Sequence, residues 1–128
     1  MSYMEIEKKL DEWVEIWNNY DLNRVRELFL NDERVTYFSS EKEGLIKGID
    51  NLVEHHREFG FVKGGKDTGN RLWIEDVEIA RYGDVDLVKA DWLFQRKGSD
   101  KTQRGPVTIV YVREKGEPKI AHAHFSNY

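Results

Sequence analysis

The chain predicts an α+β fold, with helices in its N-terminal half and an antiparallel sheet in its C-terminal half. Two observations carry this. Up to about residue 60, apolar residues recur every three or four positions, the spacing of a helix face. From about residue 70, four long runs of strand composition follow one another, joined by "YGD", "KGSDK" and "EKGE". Those joints carry turn chemistry, and short joints between consecutive strands make an antiparallel meander.

The elements follow in chain order. Ser2-x-x-Glu5 has the form of a capping box. Ile6, Leu10, Trp13, Val14 and Trp17 then predict a helix over residues 3–19. Asp21 is placed to cap a short second helix whose inner face is Leu22, Val25, Leu28 and Phe29, and "NDE" ends it. "RVTYFSS" predicts a strand. "GIDNLVEHHREFG" predicts a third helix with Ile49, Leu52, Val53 and His56 on one stripe, His55 turned toward solvent, and Gly60 at its C-terminal cap. The meander is "RLWIEDVEIARYG", "DVDLVKADWLFQRK", "TQRGPVTIVYVRE" and "PKIAHAHFS". Antiparallel strands of this length twist, so the sheet is expected to curl around the helices. "VKGGKDTGN" is the flexible-looking loop, placed where a lid could sit.

At 128 residues the chain is expected to be one domain, residues 1–128. It has no cysteine, which excludes disulfides and thiolate chemistry and makes a reducing, cytoplasmic address the simplest expectation. "MSYMEIEKKLDEW" lacks the apolar core of a signal peptide, and no apolar run is long enough to span a membrane. The net charge is −4 with both signs interspersed, which argues against a nucleic-acid surface. Four Trp, six Tyr and six Phe are enough rings to fill a core and line a ligand pocket. In the second long strand, Val85, Leu87 and Leu93 share one parity, while Val88, Ala90, Trp92 and Phe94 share the other. Three helices cover one sheet face, so the second is expected to meet another copy in a homodimer.

Four motifs carry possible chemistry. "GFVKGGKD" falls one residue short of a phosphate-binding loop, with Asp67 where Ser or Thr would hold magnesium, and it reads as a hydrophilic loop. His55 and His56 lie about 100° apart on a helix, so they do not grip one ion together. His56 sits on the apolar stripe, either as a satisfied core group or facing a pocket. His122 and His124 share one strand face, which leaves three uses open: part of a metal site, acid–base work, or structural hydrogen bonds. Asp91 stands in a mostly apolar strand and needs a partner such as Arg104 or Lys89 if buried. In a desolvated site it would be a general base. Asp76 and Glu78 are expected at the rim.

The order of elements resembles the nuclear transport factor 2-like superfamily, a cone-shaped fold. "DLNRVRELFLNDERVTYF", "GLIKGIDNL", "VEIARYGDVDLVKADWLF" and "RGPVTIVYVREKGEPKIAHAHFS" resemble its SnoaL-like branch and the association (hub) domain of calcium/calmodulin-dependent kinase. The strongest pieces are "YGDV" and the terminal His122-x-His124-x-Ser126. The hub carries arginines where this chain has Phe125 and Ile109, and relatives carry Trp where it has Pro118. The resemblance implies a pocket between sheet and helices; no cofactor is expected, and no metal, because only "FSNY" follows His124 where a further ligand would be needed.

Trp17, Tyr37, Phe59, Trp73 and Trp92 are expected to line that pocket, with His56, Asp91, Arg104, Tyr111, His122 and His124 as its polar candidates. Asp91, His122 and His124 are the candidate catalytic groups. Three functions fit. One is a small-molecule-binding domain. Another is an isomerase, cyclase or dehydratase that removes a proton beside a carbonyl. The third is an oligomerisation hub.

Overall fold

The structure is a computed structural model, and it describes residues 3–128. The apolar stripe of the first periodic segment becomes the buried face of helix α1, Met4–Asn19, through Ile6, Leu10, Trp13 and Trp17, with Ile16 buried beside them and the expected Val14 only partly buried. The expected cap at Ser2 lies outside the described residues. Tyr20 closes the helix in a left-handed conformation, its N–H donating to Ile16 C=O. Asp21 does not cap the next helix. It is extended and bridges Val62, with Leu22 N–H donating to Val62 C=O and Val62 N–H to Tyr20 C=O. Backbone pairing with the following loop thus takes the place of a side-chain cap. A single 3₁₀ turn, Leu22–Arg24, then leads into helix α2, Val25–Leu28.

Strand β1 is Thr36–Phe38 and β2 is Ile46–Lys47. Helix α3, Ile49–Glu58, buries the predicted stripe of Ile49, Leu52, Val53 and His56. His55 is buried too, against expectation, because the Tyr37 ring packs over it at 5.4 Å. Gly60 lies beyond the helix end at positive φ, donating to Arg57 C=O. The meander follows as β3 Arg71–Tyr82, β4 Val85–Gln95, β5 Thr102–Glu114 and β6 Glu117–Phe125.

The sheet order is β2-β1-β6-β5-β4-β3. β3 to β6 pair antiparallel as expected, but β1 runs parallel to β6, so the curved, unclosed six-stranded sheet is mixed. Thr36 lies opposite His122 and Phe38 opposite His124. Two-residue β2 was not foreseen, being too short for any periodic signal. Bulges interrupt β3 between Glu75 and Glu78 and the β5–β6 ladder at Val110 and Tyr111. They sharpen the bend that wraps the sheet around the helices.

The core sits between the helices and the inner sheet face, on Trp13, Phe29, Phe61, Val88, Ile109 and Ala123. Asp86 is buried on that face, where the Arg81 guanidinium donates to both its carboxylate oxygens at 2.7 and 3.2 Å. Among the described residues, no helix is long and apolar enough to cross a membrane.

Candidate functional site

The inner face closes on α1 and α3 around a small apolar cavity at one end of the sheet. Alternation along β4 turns Trp92 and Phe94 into it. Phe125 reaches it from β6, Tyr37 from β1, Trp17 from α1, and Phe59 from the end of α3. These rings interlock: Trp17 meets Phe59 edge-on at 5.1 Å, and Tyr37 lies 5.6 Å from Phe125. Ser39, Ser40, Glu41 and Gln103 form a polar margin. The cavity measures about 30 Å³. That is room for a water or two, each needing roughly 10–15 Å³.

The C-terminal segment holds one wall in place. Trp92 Nε1 donates to Ser126 C=O at 2.9 Å, and Ser126 N–H donates to Pro106 C=O at 3.0 Å. Gly105 permits this crossing, since a Cβ there would lie 1.9 Å from Ser126 O.

Behind Trp17 and Tyr37 lies His56, fully buried, with ring centroids 5.6 and 5.7 Å from theirs. His56 Nδ1 lies 2.8 Å from Leu52 O. A carbonyl only accepts, so Nδ1 carries the hydrogen and Nε2 presents a bare lone pair. That Nε2 has no partner in the structure, nor does the Nε1–H of Trp17. Burial pushes the His56 pKa down to about 4, so the ring is neutral at pH 7. Burial also raises the Tyr37 phenol, keeping it protonated.

The remaining candidates do not meet there. Tyr111 is buried on the inner face with an unpartnered hydroxyl, away from the cavity lining. Asp91, Arg104, Trp73, His122 and His124 all stand on the outer sheet face, because their parity is opposite to that of Trp92, Phe94 and Phe125. Asp91 accepts from the Tyr128 hydroxyl, neither Arg104 nor Lys89 being its partner, and Arg104 lies 4.8 Å above the Tyr128 ring. Trp73 Nε1 donates to the Glu75 carboxylate at 3.1 Å, beneath Arg71. His122 Nδ1 lies 2.7 Å from Thr36 Oγ1, and His124 stacks at 4.9 Å from Phe38. Partial burial lowers the His122 pKa. The two rings are 6.4 Å apart, and no group of three or more metal-ligating side chains occurs among the described residues.

Sequence reasoning missed Phe94, Phe125, Gln103 and the Ser39–Glu41 margin. Parity could have found the first two, since Phe94 follows Trp92 and Phe125 follows Ala123 on the inner face. Nothing local marks the margin, which is a loop brought in by the β1–β6 pairing.

The geometry therefore offers a small aromatic cavity with a polar margin, two unpartnered buried polar atoms in the packing around it, and a separate outer face bearing Asp91, Arg104 and two histidines. A family model described as "SnoaL-like domain" matches residues 6–128. Solved structures share the fold at low identity. A nuclear transport factor 2-like protein of unknown function from Shewanella oneidensis is 19% identical, with a TM-score of 0.81, covering 99% of this chain and 100% of that one. Another of unknown function from Pseudomonas putida is 17% identical, with a TM-score of 0.83, over 96% of this chain and 84% of that one. The CaMKII hub of S. rosetta is 23% identical, with a TM-score of 0.77, over 98% of this chain and 95% of that one. No curated protein matches.

Proposed function

We propose, from the premise that this chain belongs to the SnoaL-like family, that it is a cofactor-free binding domain that takes a small ring-bearing molecule. The observation that carries this is the aromatic cavity of Trp17, Tyr37, Phe59, Trp92, Phe94 and Phe125. Trp17, in the lining, has an unpartnered Nε1–H, so a ligand that brings it an acceptor gains a hydrogen bond. At about 30 Å³ the cavity is far below the roughly 300 Å³ of a drug-sized site. Entry of a ring therefore requires Phe59 or the Ser39–Glu41 margin to move, and binding is coupled to that motion.

Calorimetric titration with phenol and 2-naphthol tests this. Phenol is expected to bind, and Phe59→Trp, which fills the cavity, to abolish binding while the fold is retained. Absence of binding by either probe at millimolar concentration defeats the proposal.

An isomerase, cyclase or dehydratase would need a base at the cavity. Glu41 is the carboxylate in its lining, and it is exposed at the margin. The general-base alternative thus rests on Glu41 beside Tyr37, with Asp91, His122 and His124 on the far face.

The outer face supports a homodimer, in a cytoplasmic setting that suits a chain without cysteine. Leu87, Leu93, Pro106, Val110 and Val112 are half-buried side by side there, flanked by His122 and Phe38. Light scattering is expected to give twice the chain mass of 15.2 kDa, and Leu87→Arg to give the monomer. The hub neighbour makes larger assemblies the alternative outcome.

A further inference from the structure

We infer that the free edge of β3 is a docking site for an extended, basic segment of a partner protein, which adds to the sheet as a seventh strand. β3 is the edge strand of the sheet, opposite the β2 edge. One position of that edge is already closed. Leu72 N–H donates to Asn18 Oδ1 at 2.7 Å, and Asn18 Nδ2 donates to Leu72 C=O at 3.0 Å. This carboxamide imitates the next strand. Backbone groups of an edge strand point outward at every second residue, so those of Ile74 point the same way, beyond the reach of Asn18.

Beside this open stretch, α1 and β3 enclose a cleft of about 460 Å³. Its floor is apolar, formed by Leu10, Ile74, Val77 and Ile79, and Val77 is 41% exposed. The carboxylates of Glu7 and Asp11 line it from the helix. Asp76 and Glu78 follow at the β3 bulge, where Asp76 takes a left-handed φ of 54°. Among the described residues, none of these four carboxylates forms an ion pair.

The charge selects the occupant. Two such edges brought together would oppose acid to acid, which disfavours a second copy here. A segment alternating basic and apolar residues satisfies all three features. Its backbone completes the ladder from Ile74, its apolar side chains, all on one face of the added strand, cover Val77 and Ile79, and its cations, on the opposite face, lie on the side of Glu78.

The test uses the full chain and a fluorescent Lys-Val-Lys-Val-Lys-Val-Lys peptide, followed by anisotropy. Binding is expected, weakening several-fold in Glu78→Lys, which reverses the charge on the face the lysines occupy, with the fold retained by circular dichroism. The same peptide N-methylated at every second residue is expected to lose binding, because it cannot donate to the strand, and this needs no change in the protein. Three results overturn the inference: an alternating Glu-Val peptide binding equally well, the N-methylated peptide binding equally well, or the charge-reversed variant binding undiminished. A fourth is Val77→Cys chains cross-linking to each other without peptide, which would assign the edge to a second copy.

Discussion

The two faces of the sheet carry the same types of residue under opposite rules. On the inner face, Trp17, Tyr37, Trp92 and Phe125 pack ring against ring, and the imidazole of His56 sits among them neutral. On the outer face, Trp73 and Tyr128 give their polar atoms to carboxylates and lie against arginines, and His122 bonds Thr36. The difference is solvent. Without it, a polar atom must find a protein partner or stay unpaired, whereas on the outer face water can serve. Chemistry that needs charge is thus displaced from the cavity to the faces and edges around it.

Truncation should separate the faces most. Trp13→Ala removes a fully buried side chain and is expected to cost about 3–5 kcal/mol in urea unfolding. Trp73→Ala on the outer face should cost under about 1 kcal/mol in a monomer. Equal losses would erase the distinction.

The pH dependence of stability comes next. The folded pKa of His56 is depressed, to about 4 from an ordinary 6.5. The stability linked to neutral His56 is therefore fully present above pH 6.5 and is lost as pH falls toward 4. At about 1.4 kcal/mol per pH unit, the loss is on the order of 3 kcal/mol. His56→Leu should flatten this slope in thermal melts from pH 7 to pH 4. A slope unchanged by the substitution would place the titrating group elsewhere.

The seam between the faces follows. Gly105→Ala should displace the C-terminal segment and release the Trp92 indole, at about 1–3 kcal/mol, and shift tryptophan emission. Unchanged emission would show that Ser126 does not hold that ring. His122→Ala, which removes one part-buried hydrogen bond to Thr36, should cost about 1 kcal/mol, close to the Trp73 truncation. Ring binding in the cavity should survive it, because His122 lies on the other side of the sheet.

Much of the fold was legible locally. The α1 and α3 stripes and the β4 parity depend on spacing alone, and they came through. The errors share one cause. Asp21 has good cap chemistry, but Val62 from a distant loop captured its backbone. His55 fell beside the stripe, yet Tyr37 closed over it. β1 read correctly as a strand, while its parallel partner β6 lies more than eighty residues on. Asp91 and Trp92 are neighbours in β4, so alternation already keeps them from sharing the cavity, whereas for His122 and His124 it shows that the two share a face and leaves open which face the helices cover.

By itself, the sequence determined the α+β class, the helix stripes, the meander and the sorting of each strand into two faces. These follow from local periodicity and turn chemistry, which any short window contains. Only the tertiary structure decided which face turns inward, how the bulges at Glu75 and Val110 bend the sheet, and how little space the converging rings leave. Those outcomes depend on side-chain volumes meeting across long stretches of chain, and no window of sequence holds both partners of such a contact.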